Sequence, residues 1–268
     1  MTESRITQLY PARTVDLSRQ SEAPDARSDP AALTDDDLLA LYAAEKRWQP
    51  RVSANFISSV DGSASAAGLS GDLGGPADKR VFDLQRWVCD AVLVGAGTVR
   101  AEGYGAMRVS SAATAWRLTH GFAEHPTFAI VSGRLDLDPA SDVFAAAPVR
   151  PIVLTTAAAD PVKRAHLEAV AEVITCGENT VEPRQLVAAL TERGLVQVHC
   201  EGGPSLLGSL VAADLLDELC LTVSPLLEGG SGPRIVTAPG EAIDLQQLRL
   251  DHVLLAGSML LTKYSRTR

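Results

Sequence analysis

The sequence predicts one α/β domain, a mostly parallel central sheet flanked by helices that finishes in antiparallel strands. Three observations carry this. Between Thr127 and Ala212, short apolar runs alternate with helical patterns, and a chain that returns through a helix lays its strands parallel. After Asp217, the runs Glu218–Val223, Arg249–Leu255 and Ser258–Tyr264 follow one another with no helical pattern between them, which makes that edge antiparallel. Finally, 268 residues with no internal repeat and no linker suffice for one large core.

Residues 1 to about 30 are rich in Ser, Asp, Arg and Pro and lack periodicity, so 1–33 is expected to be a partly ordered arm and 34–268 the domain. Thr34 followed by Asp35, Asp36 and Asp37 reads as a helix N-cap with an acidic first turn. Leu38, Leu39, Leu41, Tyr42 and Trp48 form its apolar face, and Pro50 ends it. Arg51–Ile57 alternates as a strand does. Ser59–Pro76, dominated by Gly, Ser and Ala, is a long loop of the kind a compact domain keeps for function. In Ala77–Val88, Val81, Leu84, Trp87 and Val88 share a helical face. The strand Ala91–Val94 leads into a helical piece from Thr98, Ala112–Leu118 reads as a short helix, and Thr127–Val131 is a strand. Beyond these come strand Pro151–Thr155, helix Pro161–Val170, strand Ala171–Thr175, helix Pro183–Arg193, strand Leu195–His199 and helix Ser205–Ala212. Pro161 and Pro183 suit first helical turns.

Composition removes several function classes. A net charge of −9 argues against binding a nucleic-acid backbone. No apolar run approaches the roughly 20 residues of a membrane span, and the start of the chain lacks the pattern of a secretory signal, so the cytoplasm is the expected compartment. Cys89, Cys176, Cys200 and Cys220 are widely spaced and read as small buried hydrophobes in a reducing compartment. No Cys/His spacing suggests a metal site, and the five histidines show no ligand or triad spacing.

Two junctions carry chemistry. Leu195–Cys200 breaks at Glu201, Gly202 and Gly203 and turns at once into a helix starting near Pro204, Ser205, Leu206 and Leu207. Ala91–Val94 turns through Gly95, Ala96, Gly97 and Thr98 in the same way. Each leaves backbone N–H groups at a helix start, where they and the helix dipole favour an anion. Two such turns suggest a ligand with several phosphates, a nucleotide cofactor first of all. Taken singly, each residue also has a plainer reading: Asp61 as a turn residue bonded to its own backbone, Thr98 as a helix cap, Arg86 in a surface salt bridge, Glu201 paired with a nearby cation.

Set in order, the motifs are Asn55-x-x-Ser58-x-x-Asp61-Gly62, then Leu84-x-Arg86-x-x-x-Asp90-Ala91-x-Leu93-Val94-Gly95-Ala96-Gly97-Thr98-Val99, then Glu201-Gly202-Gly203-Pro204-Ser205-Leu206, then Asp217-Glu218 and Ser224-Pro225-x-Leu227-x-Gly229-Gly230. Together, from about Arg51 to about Tyr264, they resemble the C-terminal reductase domain of the bifunctional riboflavin-biosynthesis deaminase/reductase and its stand-alone relatives. The resemblance implies a dihydrofolate-reductase-like fold, NADPH as hydride donor and a homodimer. The implied reaction opens a ribosylaminopyrimidine, in that family 5-amino-6-(5-phosphoribosylamino)uracil, to the ribitylamino product. It also implies roles. Asp61 becomes the pyrimidine-site carboxylate and Glu201 the acidic residue facing the substrate. Asn55, Ser58, Arg86 and Glu102 fall on the substrate side, Arg86 holding the phosphate. Gly95, Ala96, Thr98, Val99, Ser132 and the turn Gly202, Gly203, Pro204, Ser205, Leu206 and Leu207 fall on the cofactor side. Arg134 and Arg100 are the nearest cations for a 2′-phosphate.

The sequence departs from the family on the substrate side. Gly103-Tyr104-Gly105 replaces the usual Asp-Pro after the Thr98 turn, Gly71–Gly75 replaces a Trp- or Ile-containing segment, and Asn55 stands where Lys is common. No H-x-E with P-C-x-x-C occurs, so zinc-dependent deamination is not expected of this chain. Two alternatives stay open. One is a reductase of the same fold acting on dihydrofolate, and the other is a nucleotide-binding module without turnover.

Overall fold

The computed structural model describes residues 5–11, 32–238 and 244–267. The elements in chain order are β1 (Thr7–Tyr10), α1 (Asp35–Tyr42), β2 (Arg51–Ser59), α2 (Pro76–Gln85), β3 (Ala91–Gly95), α3 (Ala96–Ala101), α4 (Ser111–Thr119), β4 (Thr127–Val131), α5 (Asp142–Ala145), β5 (Ile152–Thr155), α6 (Pro161–Glu168), β6 (Glu172–Thr175), α7 (Pro183–Thr191), β7 (Gln197–Cys200), α8 (Pro204–Ala212), β8 (Glu218–Ser224), β9 (Leu248–Ala256) and β10 (Met259–Arg266). Among the described residues they build one ten-stranded sheet in the order β1-β9-β10-β8-β2-β7-β3-β4-β5-β6. From β8 to β6 every pairing is parallel, whereas β10 runs antiparallel to β8 and β9, and β1 antiparallel to β9. This is the mixed, mostly parallel sheet with an antiparallel end that the alternation predicts.

The parallel half is buried on both faces, which explains its continuous apolar runs. In β3, Val92 and Val94 pack with Phe128, Ile130, Val153 and Leu167 on one face, and Leu93 packs with Ala54, Leu190, Leu207 and Leu210 on the other. A third cluster, Leu38, Leu39, Tyr42, Val81, Leu84 and Leu254, seats α1 and α2 on the antiparallel end.

Helix α1 starts as expected. The Asp37 N–H donates to Thr34 Oγ1 (3.2 Å) and the Thr34 N–H to Asp37 Oδ2 (2.9 Å), a capping box of about 1 kcal/mol. It stops at Tyr42, well before Pro50, and Trp48 is 73% exposed instead of completing the apolar face. The cause is tertiary: Arg51 Nη2 donates to Tyr42 O (3.1 Å) and Lys263 Nζ to Leu41 O (3.1 Å), so two strand cations satisfy the last carbonyls and close the helix. The N-terminal segment contributes a strand to the sheet. Ile6 is fully buried and Thr7–Tyr10 pairs with β9 as the edge strand, a piece too short to show periodicity. Residues 12–31 of that segment lie outside the described residues.

Candidate active site

The carboxyl ends of β2, β7, β3 and β4 lie side by side, and in open α/β sheets this is the edge where ligands bind. The loop after β2 and the helix α2 face the starts of α3 and α8 across a cleft of about 1510 Å³.

One wall is the pair of glycine turns. The Gly95 N–H donates to Gly202 O (2.7 Å), tying the β3–α3 turn to the β7–α8 turn. Gly202 has φ +101°, and a Cβ there would come within 3.2 Å of the Phe56 ring. A Cβ on Gly203 would lie 2.6 Å from Thr98 Oγ1, so only glycine lets this backbone meet the Thr98 hydroxyl. No side chain caps α3 or α8, and Gly203 itself is the N-cap of α8. Thr98 is therefore not a cap, since α3 begins two residues before it. Gly97, Thr98, Gly203 and Pro204 line the cleft. The side chains of Ala96, Val99 and Leu207 are buried in the core, so at those positions only the backbone is available to a ligand.

Between the two walls sits Glu201, its side chain fully buried. Arg86 donates to it through Nε (2.6 Å to Oε1) and Nη2 (2.7 Å to Oε2), and the Tyr104 hydroxyl donates to Oε2 (2.9 Å). Arg86 also lies over the Phe82 ring at 4.4 Å. Burial opposes the Arg86 charge, but the Glu201 carboxylate outweighs it and holds the guanidinium above its ordinary pKa. Burial first, and Glu201 second, raise the Tyr104 phenol, which stays a protonated donor. The cation pairing open to Glu201 in the sequence is thus realised, and its partner is the very arginine that the family resemblance assigns to a substrate phosphate. Of Arg86, both N–H groups of Nη1 and the second N–H of Nη2 are left for a ligand.

On the substrate side the structure brings Asn55, Arg86 and Glu102 to the cleft. Asn55 Oδ1 accepts from Gln85 Nε2 (3.3 Å), and Glu102 Oε1 accepts from the Ser70 N–H (2.8 Å), so Glu102 anchors the Gly/Ser loop. Ser58 is buried in β2 and does not line the cleft. Neither does Asp61, whose carboxylate accepts from Ser59 Oγ (2.5 Å) and the N–H groups of Glu228 (3.1 Å) and Gly229 (2.8 Å), lacing the β2 turn to the segment after β8. The Ser59 bond, then the two amides, hold the Asp61 carboxyl at about 2 against an ordinary 3.8. A lowered native pKa stabilises the fold above the unfolded value and is lost as pH falls through the native one. Asp61→Asn is therefore expected to be less stable than the wild type at about pH 6, with the gap shrinking from about pH 4 towards pH 2. Paired denaturant titrations across that range measure it, and a pH-independent gap would refute the lacing.

Ser132, just past β4, is buried, its N–H bonded to Leu154 O (2.9 Å), and it does not line the cleft. Arg100 Nη1 donates to Asp136 O (2.6 Å), Lys163 pairs with the Asp136 carboxylate, and Lys163 Nζ also donates to Arg134 O (3.4 Å). Lys163, Arg134 and Arg100 all depress the Asp136 carboxyl, so three cations gather around one anion just past β4. Tyr104, Asp78 and Phe82 line the cleft without having been singled out as site residues. Tyr104 was visible only as a departure from the family. The thiols of Cys89, Cys200 and Cys220 are pushed by burial to about 12, and the His199 ring down to about 4, which leaves these groups inert near neutral pH.

An open α/β sheet with paired glycine turns and a charged hub at its carboxyl edge defines a small-molecule enzyme. Residues 50–261 match the family model of the RibD C-terminal domain, and the chain belongs to that family. It is 28% identical over 223 residues to the 2,5-diamino-6-ribosylamino-4(3H)-pyrimidinone 5′-phosphate reductase of Methanothermobacter thermautotrophicus, covering 81% of this chain and 98% of that one. It is 29% identical over 182 residues to the riboflavin biosynthesis protein RibD of Mycobacterium tuberculosis, covering 68% of this chain and 44% of that one. Among solved structures it is similar to a pyrimidine reductase-like protein from Corynebacterium diphtheriae, with a TM-score of 0.81 at 25% identity over 88% of this chain and all of that one. Among the described residues, no helix is long and apolar enough to cross a membrane.

Proposed function

We propose that the chain is an NADPH-dependent reductase of a ribosylaminopyrimidine 5′-phosphate. The observation that carries this is the joined pair of glycine turns opening into a cleft whose opposite wall is furnished with charged and polar groups. The cofactor fit rests on the cradle: the amides at the uncapped start of α8 and the Thr98 hydroxyl meet where a Cβ on Gly203 would intrude. Gly203, Ser205 and Leu206 offer backbone N–H groups to the pyrophosphate, and the basic group of Arg134, Arg100 and Lys163 suits a 2′-phosphate. When bound, NADPH supplies the hydride that opens the ribosylamino group.

The protein's share is alignment and a dry floor. Glu201, neutralised by Arg86, fixes the boundary between the cofactor and heterocycle halves without adding net charge. Tyr104 holds the second carboxylate oxygen, and Glu102 keeps the Gly/Ser loop over the cleft. Arg86 Nη1, together with Lys79, Arg80 and Arg108 around the opening, serves the substrate phosphate. A homodimer in the cytoplasm completes the reading: Val60, Leu226 and Leu227 are exposed together, Val60 N–H bonding Leu226 O (2.9 Å), and all four cysteines are free thiols. Sedimentation at twice 28.2 kDa supports that state, and sedimentation at the chain mass removes it.

The expected result is NADPH oxidation with the ribosylaminopyrimidine phosphate and none with dihydrofolate. NADPH should bind at least about tenfold more tightly than NADH, with Arg134→Ala erasing most of the difference. Equal use of the two nucleotides would remove the 2′-phosphate assignment, and turnover of dihydrofolate alone would replace the substrate.

A further inference from the structure

One wall of the cleft, residues 105–110, has neither helix nor strand to stiffen it. It begins at Gly103-Tyr104-Gly105, with Gly103 at φ +67°, so glycine freedom stands where the family's Asp-Pro would have removed it. Among the described residues, the one amide of 105–109 that meets an acceptor is that of Val109, which donates to His125 Nδ1 (3.2 Å). A backbone N–H only donates, so Nδ1 is the acceptor and the ring proton sits on Nε2. Burial first, and Arg108 second, lower the pKa of this half-buried ring from its ordinary 6.5, with Glu124 opposing, so the neutral form prevails at pH 7. His125 itself is well seated. The Phe122 N–H donates to Arg117 O (2.9 Å) and Arg117 Nε to Ala123 O (2.8 Å), which fixes its segment along α4. Arg108, next to the tied amide, is the cleft cation without an anion of its own among the described residues. Lys79 pairs with Asp83, Arg80 with Asp35 and Arg86 with Glu201, whereas Arg108 Nη2 meets the Ala146 carbonyl (3.2 Å).

We propose that His125 is a positioning residue of the substrate site: by accepting from the Val109 amide it holds the 105–109 wall, and with it the Arg108 guanidinium, in place for the substrate's phosphate. A neutral imidazole does this and an imidazolium does not, because a protonated Nδ1 turns a donor towards the Val109 donor. The charged groups facing the ring are Arg108 from the wall, Arg117 from α4 and Glu124 from its own segment. Two cations against one carboxylate add repulsion to the lost bond. Protonation below the ordinary histidine value therefore releases the wall, and phosphate affinity falls although the local charge has become more positive. This rests on the reductase reading for the phosphate-bearing substrate, whereas the tie between His125 and Val109 does not depend on it.

Two variants separate the acceptor from the charge. His125→Asn keeps an acceptor, since Oδ1 stands where Nδ1 does, and it does not titrate. His125→Phe keeps a ring and loses the acceptor. From about pH 7.5 to about pH 5, the wild-type KM for the ribosylaminopyrimidine phosphate is expected to rise about three- to tenfold more than that of His125→Asn. The comparison cancels the titration of the phosphate itself, which both proteins meet. His125→Phe should show the raised KM already at the higher pH, with kcat and NADPH affinity near the wild-type values. Hydrogen exchange reads the tie directly. The Val109 amide should be protected in the wild type at the higher pH and in His125→Asn at both, and should lose about tenfold in protection in the wild type at the lower pH and in His125→Phe. Equilibrium binding of ribose 5-phosphate, with no cofactor present, should weaken in the same order. That order in a protein that never oxidises NADPH supports His125 and ends the reductase reading. NADPH oxidation with the same pH profile of KM in the wild type and His125→Asn overturns His125 and leaves the reductase reading standing, as does a Val109 amide fully protected in His125→Phe.

Discussion

Glu201→Ala is expected to cost about 3–5 kcal/mol of unfolding free energy and to abolish turnover. The carboxylate is fully buried and its partner Arg86 is only 18% exposed, so removing the anion strands a guanidinium and a phenol hydroxyl in a site of low dielectric. The loss is not local. Glu201 follows β7, Arg86 follows α2 and Tyr104 follows α3, so one carboxylate closes three segments of chain over the cleft floor. Glu201→Gln should fall between, because the amide keeps one acceptor for Tyr104 or Arg86 but turns a donor towards the other. The double replacement Arg86→Met with Glu201→Leu should be less damaging to stability than Glu201→Ala alone, since no unpaired charge then remains. Urea titrations of the four proteins decide it: a loss under 1 kcal/mol for Glu201→Ala would show that Arg86 finds another anion or water.

The same hub shows which parts of the site the sequence could reveal. Gly95, Gly97, Gly202 and Gly203 were legible because a turn from strand to helix is a local event, written in consecutive residues. The strands were legible for the same reason: Thr127–Val131 has the same bounds in the structure as in the sequence pattern. The Arg86–Glu201 pair joins residues 115 apart, and nothing in either neighbourhood announces the other. Asp61 shows the opposite hazard. Its place in a motif suggested a ligand, yet its acceptors are filled by backbone amides of Glu228 and Gly229, contacts that no local pattern encodes. Likewise the end of α1 was misread because Arg51 and Lys263 decide it, not Pro50.

Arg117→Met carries the second large expected effect, a loss exceeding about 4 kcal/mol. Arg117 is fully buried, and its Nη1 and Nε are spent on backbone carbonyls. Nη1 donates to the carbonyls of Arg86 (2.8 Å), Trp87 (3.0 Å) and Cys89 (2.8 Å), and Nε donates to Ala123 O (2.8 Å). The first three are the carbonyls that the chain leaves open as it exits α2 through a 3-10 turn and enters β3. A helix end buried in apolar surroundings must be satisfied by some donor, and here one side chain from α4 supplies it. Methionine keeps most of the volume but removes every donor to these four carbonyls, the buried one of Cys89 among them. Arg117→Lys, with three donors on a rotating ammonium, should recover part of the loss. The functional signature follows from Arg86, whose own carbonyl Arg117 holds. As that backbone loosens, the guanidinium no longer meets Glu201 squarely, so KM for the heterocycle should rise several-fold in Arg117→Lys. NADPH affinity should stay near the wild-type value, because the Gly95–Gly202 bond joins the two glycine turns to each other and not to this turn. A parallel loss of both affinities would mean that Arg117 supports the fold as a whole and positions nothing in particular.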